Sequence, residues 1–238
     1  MQEKIPLISV WHLSHIGVDM RMTEREIQDM LNAYPGLTYQ RKQEADIFQG
    51  SIEICHNETN SNVILTGEFG IKIVIDDKYP EKIPIVYDVN DSIKSDYIHR
   101  YSDGELCLES SIRLQLFAKK NSQKEFIDFF LINYLCSYLY YDRYIMYPNG
   151  ERPHGFWGEY DFLFEYFNLA IDKVVLIIRY ILFHGIKRND LCPCGSGRLV
   201  KRCHGMKMIE LTNGIKKEGL EKIYVELLNY MKGEINER

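Results

Sequence analysis

The chain has 238 residues, 45% hydrophobic and 26% charged, which suits one large globular domain or a medium domain with a small module attached. Its net charge of −5 argues against non-specific nucleic-acid binding by the molecule as a whole. Charge is uneven, however: residues 187–207 hold six basic residues and one acid, so that segment is +5 and the remainder −10.

The opening "MQEKIPLISVWHLSH" lacks the basic start and apolar run of a secretory leader, and the six cysteines do not read as a disulfide framework. A reducing, cytoplasmic setting is expected. Residues 23–33, "TEREIQDMLNA", begin with a capping box in which Thr23 and Glu26 satisfy each other, and "YPG" stops the helix. Segments 47–55, 61–70 and 71–76 are rich in β-branched residues and partly alternating, with a polar "HNETN" turn between the first two. They predict an antiparallel meander. The two prolines of residues 77–89, "DKYPEKIPIVYDV", favour extended, irregular backbone beside the sheet over a central strand.

Next comes "YIHRYSDGELCLES", residues 97–110, where Cys107 follows a turn-like Ser-Asp-Gly and sits between leucines. By itself it reads as a buried hydrophobe, a metal ligand or a nucleophile. The pattern then turns helical: residues 122–141 have Ser122 as a cap and an apolar face through Phe126, Phe129, Phe130, Asn133 and Leu135. Residues 147–159 form a Gly/Pro-rich loop, and 160–185 read as one long helix. Asp172, Lys173 and Arg179 interrupt its apolar run, which is far short of the roughly 20 residues that span a bilayer, so it reads as a buried helix. An amphipathic helix closes the chain from residue 216. Cys55 at a strand end and Cys136 within an apolar helix read as structural. The order implies an α+β fold with a C-terminal appendage.

In "CPCGSGRLVKRCHG", Cys192 and Cys194 precede the adjacent Cys203 and His204 by a short turn. Two close pairs of soft or borderline ligands suit a closed tetrahedral Zn²⁺ site, structural because no position is left for water. Gly195, Ser196 and Gly197 allow a tight turn over the ion, and the surrounding basic residues favour thiolates. With its leading "KRND", the segment resembles the SEC-C motif, over about residues 187–207. That resemblance implies a docking module, and its basic patch fits an acidic protein surface better than nucleic acid.

Two stretches before and around Cys107 resemble the ubiquitin-conjugating enzymes. "YPEKIPIVYDV" is similar to that family's Tyr-Pro-x-x-Pro-Pro segment, with Tyr79, Pro80 and Pro84 retained and Ile83 in place of one proline. "GELCLE" is similar to Gly-x-Ile-Cys-Leu-Asp around the family's thioester cysteine, matched by Gly104, Leu106, Cys107, Leu108 and Glu109. The resemblance covers roughly residues 20 to 145 and departs at the family's His-Pro-Asn, whose places hold Tyr97, Ile98 and His99. An imidazole at His99 could donate to an oxyanion or accept a proton from an attacking amine. Downstream, "NGERPHGFWGE" resembles a loop of bacterial relatives, including those of cyclic-oligonucleotide antiphage (CBASS) systems, and makes His154 a second candidate beside the cysteine.

The resemblance implies a ubiquitin-conjugating-like domain over 1–186 with a helical extension, and a SEC-C zinc module with its helix over 187–238. It implies an enzyme: a transferase whose Cys107 accepts a protein C-terminus as a thioester, with His99 and His154 as catalytic candidates. The passenger would be the C-terminus of a CD-NTase or of a ubiquitin-like protein, in antiphage defence. No nucleotide-binding fingerprint or P-loop is present, so either a separate enzyme activates the passenger or it reaches Cys107 by another route. The alternative is a catalytically inactive binding module of the same fold that recruits partners through its zinc motif. A nucleic-acid-associated zinc protein is a third, weaker reading that the acidic remainder disfavours.

Overall fold

The capped helix expected over 23–33 forms as α1 (Glu24–Ala33), with Thr23 and Glu26 closing the capping box in both directions. The computed structural model describes residues 21–57, 64–148, 150 and 155–233. No helix among the described residues is long and apolar enough to cross a membrane.

Four strands follow, β1 (Leu37–Arg41), β2 (Ala45–Asn57), β3 (Ile64–Asp76) and β4 (Ile85–Asp88), in the order β1-β2-β3-β4 with every pair antiparallel. The fold is thus a mixed α/β arrangement around an antiparallel meander. β1 is absent from the sequence reading because it is only five residues long, with Leu37 and Tyr39 as its only inward side chains. The segments expected over 61–70 and 71–76 form one continuous strand, of which residues 61–63 lie outside those described. Gly70 is no break in it: a Cβ there would come within 2.3 Å of Asn90, so this glycine admits a packed side chain. Prolines 80 and 84 fall before β4, the last strand of the meander, in keeping with the expectation for 77–89. Alternate residues of β3 (Phe69, Ile71, Ile73, Ile75) are buried, as a sheet with one face on a core requires.

Behind this face lies a helix built from α3 (Gln123–Phe126), a π turn over Ile127–Leu131 and α4 (Ile132–Tyr144). Ser122 and Glu125 form its capping box. Phe126, Ile127, Phe130, Leu131, Tyr134, Leu135 and Tyr138 are buried at helical spacing. Phe129 and Asn133, expected on that apolar face, are exposed, because they lie to the side of the stripe that the 126/130/134/138 series defines.

The expected single helix over 160–185 is two helices, α5 (Gly155–Phe167) and α6 (Ile171–His184). Between them Asn168 is left-handed (φ 53°), a conformation that asparagine tolerates and that ends a helix. The apolar run over 171–186 is a buried helix as expected, with Val174, Val175, Ile177, Ile178 and Ile181 in the interior. After the cysteine/histidine turn come α7 (Gly205–Gly214) and α8 (Lys217–Met231). A second core gathers α5 to α8 and includes Val200, Cys192 and Cys194.

The helix that follows Cys107, α2 (Ser111–Ala118), serves both cores. Leu114 and Ala118 pack into the first, and Ile112 and Leu116 into the second. The two pairs lie on opposite sides of the helix because each pair is four residues apart and the pairs are offset by two.

Candidate functional site

Cys107 sits on the second limb of a tight hairpin whose turn is Tyr101–Gly104 (Gly104 N–H to the Tyr101 carbonyl, 3.0 Å). Gly104 has φ +88°, and a Cβ there would lie 2.7 Å from the Asp88 carbonyl, so glycine is the residue the turn admits. The Cys107 N–H donates to the His99 carbonyl (2.8 Å), Arg100 pairs with Leu106, and the Tyr101 N–H donates to the Glu105 carbonyl (2.8 Å). The second limb also pairs with β4, through the Leu106 N–H on the Val86 carbonyl (2.8 Å) and the Asp88 N–H on the Gly104 carbonyl (2.9 Å). The hairpin therefore extends the sheet beyond its last strand.

A buried ion pair pins it from below. Arg100 Nε lies 3.1 Å from Asp88 Oδ2, with side-chain exposures of 7% and 0%. Asp88 also accepts from the Ser92 N–H, the Ser92 hydroxyl and the Ile93 N–H, so the buried carboxylate is well satisfied.

Above the hairpin is a groove of about 700 Å³ with the half-buried Cys107 on its floor. His99 lines the same groove, its ring edge-on to those of Tyr97 (5.6 Å) and Tyr147 (5.8 Å). The Tyr134 hydroxyl donates to the His99 carbonyl (2.9 Å), and burial holds that phenol well above its usual pKa. Tyr101, which the sequence reading passes over, lines the same groove, and the nearby Cys107 pushes its phenol up to about 12. At the groove's far side Glu159 of α5 accepts from the Ser111 N–H (3.1 Å) and its hydroxyl, and Arg113 pairs with Glu109 (2.7 Å). His154 lies outside the described residues. Cys55 is exposed, and Cys136 is half-buried with its thiol pushed up by burial. The alternation of residues around "SDG" was the available signal for Tyr101, since positions 99, 101, 105 and 107 of such a hairpin share a face.

The second cluster comprises Cys192, Cys194, Cys203 and His204, whose ligand atoms all lie within 4.8 Å of one another. Backbone bonds fold the turn: Cys192 N–H to the Arg198 carbonyl (2.8 Å), and Cys203 N–H to the Val200 carbonyl (3.0 Å). Gly195 and Gly197 are both left-handed. His204 Nδ1 lies 3.4 Å from Cys192 Sγ and 3.3 Å from Cys203 Sγ, and Cys194 Sγ lies 3.6 Å from Cys203 Sγ. A tetrahedral ion with metal–sulfur bonds of about 2.3 Å and metal–nitrogen bonds of about 2.0 Å needs edges of roughly 3.5–3.8 Å, so the donor set fits. Phe167 supplies the outer contact: His204 Nε2 lies 3.0 Å from its carbonyl, which leaves Nδ1 as the free ligand. Burial raises Cys192 to about 11. For Cys194 burial also raises, but hydrogen bonds from Ser196 and the neighbouring thiols outweigh it and bring that thiol down to about 6.

The SEC-C motif, a zinc-binding type, matches residues 188–205. Over 25 residues, 10% of this chain, the sequence is 72% identical to the protein translocase subunit SecA of Anaplasma phagocytophilum (strain HZ). The chain covers 3% of that relative's length. No solved structure matches the chain.

Proposed function

We propose that this chain is a ubiquitin-conjugating-like transferase that carries a protein C-terminus as a thioester on Cys107, with a zinc-bound SEC-C module that docks a partner. The observation that carries this reading is the placement of Cys107: half-buried in the lining of an open groove, with its backbone N–H held by the His99 carbonyl. A structural cysteine has no use for such a groove, whereas a carrier thiol needs room for an extended chain terminus on one side and an amine on the other. The order of α1, meander, cysteine hairpin and helices also agrees with the ubiquitin-conjugating arrangement that the Tyr79–Pro84 and Gly104–Glu109 stretches resemble.

The thiolate would attack an acyl group activated elsewhere, since this chain has no nucleotide-binding fingerprint. A CD-NTase or ubiquitin-like C-terminus is the passenger that the resemblance to antiphage relatives supports. His99 sits in the groove where that family has asparagine, and its main-chain carbonyl fixes Cys107. A role for its ring in the transfer remains part of the proposal, as does one for His154. The fold as an inactive docking module is the second reading, favoured by that missing asparagine.

Cys107→Ser separates the two, because a serine ester hydrolyses more slowly than a thioester. The variant would be recovered from cells that make the protein and weighed intact. An added mass that maps to a protein C-terminus supports the carrier and names the passenger. An unmodified variant that still retains its partners moves the function to docking.

A further inference from the structure

One stretch of the groove that holds Cys107 is an aromatic ledge. Along its α4 side the row Phe129, Asn133, Ser137 runs at intervals of four residues, and Phe129 is the aromatic member, left 43% exposed within the π turn. Exposure does not leave this ring loose. It stacks on Phe117 (centroids 5.0 Å apart, planes 22° apart) and meets Phe130 edge-on (5.0 Å). Arg113 of α2 also lines the groove, with Cζ 6.0 Å from the Phe129 centroid and 5.9 Å from that of Phe162 on α5. Its Nη1 donates to Glu109 (2.7 Å), while Nε and Nη2 have no hydrogen-bond partner among the described residues. The guanidinium is thus held in place with part of its donor fork unused.

Charge and reach together define what this ledge accepts. Glu109 already neutralises Arg113, and Glu105 and Glu159 line the same groove, so a further acidic group gains nothing there. Uncharged main-chain carbonyls suit the open N–H groups, and an apolar side chain suits the exposed ring. From Cys107 a short link leads to the Ser110 cap, and Arg113 lies one turn into α2, so their Cα atoms are within about 15 Å of each other. An extended chain that ends at Cys107 covers that distance in about four or five residues.

Resting on the carrier reading above, we propose that Arg113 and Phe129 form the subsite that selects the passenger. Arg113 donates to a main-chain carbonyl of its extended C-terminal segment. Phe129 packs an apolar side chain that lies roughly three to five residues from the end. The preferred passenger therefore has an uncharged, apolar residue in that stretch of its tail.

The test uses the full-length protein and fluorescein-labelled pentapeptides, all glycine except for leucine, phenylalanine or glutamate at the first, second or third position. Each is made as a C-terminal amide, for binding by fluorescence anisotropy, and as a mercaptoethanesulfonate thioester, for loading. In loading, the Cys107 sulfur bonds the peptide's last carbonyl carbon. The small thiol leaves with its electron pair and takes up the proton that Cys107 gives up, and intact mass reads the adduct. At one of the three positions, leucine or phenylalanine amides should bind about fivefold more tightly than the all-glycine amide, and glutamate amides no more tightly. Phe129→Ala should abolish that preference. Arg113→Lys keeps the charge and loses the fork, and should weaken every peptide alike. Thermal melts by circular dichroism establish that each variant is folded. No binding, equal binding of all amides, a preference for glutamate, or a preference that survives in Phe129→Ala would overturn the subsite, even where the thioesters load Cys107. The expected preference with no adduct on Cys107 would keep the subsite as a peptide site and sink the carrier reading instead.

Discussion

His204 Nε2 lies 3.0 Å from the Phe167 carbonyl, which ties the cysteine/histidine turn to the last residue of α5. The contact does two things. It turns Nδ1 toward the three sulfurs, and it uses a carbonyl that the end of a helix leaves unpaired. Since Cys192, Cys194 and Val200 are part of the second core, the ligand set and the helices around it form a single cooperative unit.

Metal removal should therefore unfold more than a loop. The purified protein should contain about one zinc per chain by elemental analysis. Chelation, or Cys203→Ser, should expose α5 to α8 to protease while the sheet and α4 stay protected. Limited proteolysis with mass mapping reads the difference, and uniform protection after metal loss would show that the second core stands without the ion.

Arg100→Ala should be strongly destabilising. It strands Asp88, a fully buried carboxylate, and breaking one partner of a buried pair costs about 3–5 kcal/mol. Replacing Asp88 and Arg100 together by asparagine and leucine should cost less than Arg100→Ala alone. Urea unfolding of the single and double variants checks the order.

Gly104→Ala combines a left-handed backbone with a clash on the Asp88 carbonyl, and should cost about 1–3 kcal/mol. The same change loosens the turn of the hairpin that carries Cys107. Urea unfolding of the wild type and the variant checks the difference.

Glu81 bridges the two cores, accepting from Lys119 at the end of α2 and from Lys216 at the start of α8 (2.9 Å). Those hydrogen bonds hold its carboxyl below the ordinary glutamate value of 4.5. A depressed folded-state pKa means stabilisation that is present above the unfolded value and lost as pH falls through the folded one. Glu81 is 42% exposed, so the effect is screened to less than about 1 kcal/mol and shrinks with salt. Melting temperatures of wild type and Glu81→Gln should differ at neutral pH in low salt and converge as pH falls well below 4.5. A gap that persists in acid would assign the difference to packing.

Much of the local structure was legible because its causes are local. The capping boxes at Thr23 and Ser122 are three-residue reciprocal contacts, and both form as read. The ligand set Cys192, Cys194, Cys203 and His204 was legible because two close pairs with glycines between them leave little freedom in how the turn closes. The turn before Cys107 was legible in Ser-Asp-Gly, whereas the hairpin limb that carries Cys107 came only with the structure. The break at Asn168 was not legible: no proline or glycine interrupts residues 160–184 to say which residue turns left-handed, and the packing of α5 on α2 and of α6 on α8 selects it.

Sequence by itself therefore determined the meander, the capped helices, the metal-type donor set and the position of Cys107 on a turn. All of these arise from contacts within a few residues or from a simple apolar period. Tertiary structure alone decided what surrounds them. It buried both faces of α2, whose alternating "SIRLQLFA" reads equally as a strand, because two cores meet on it. It brought the Phe167 carbonyl to His204 across 37 residues, and Glu159 to Ser111 across 48. Such pairs form only once the chain has closed large loops, at an entropic cost that the burial of both cores offsets.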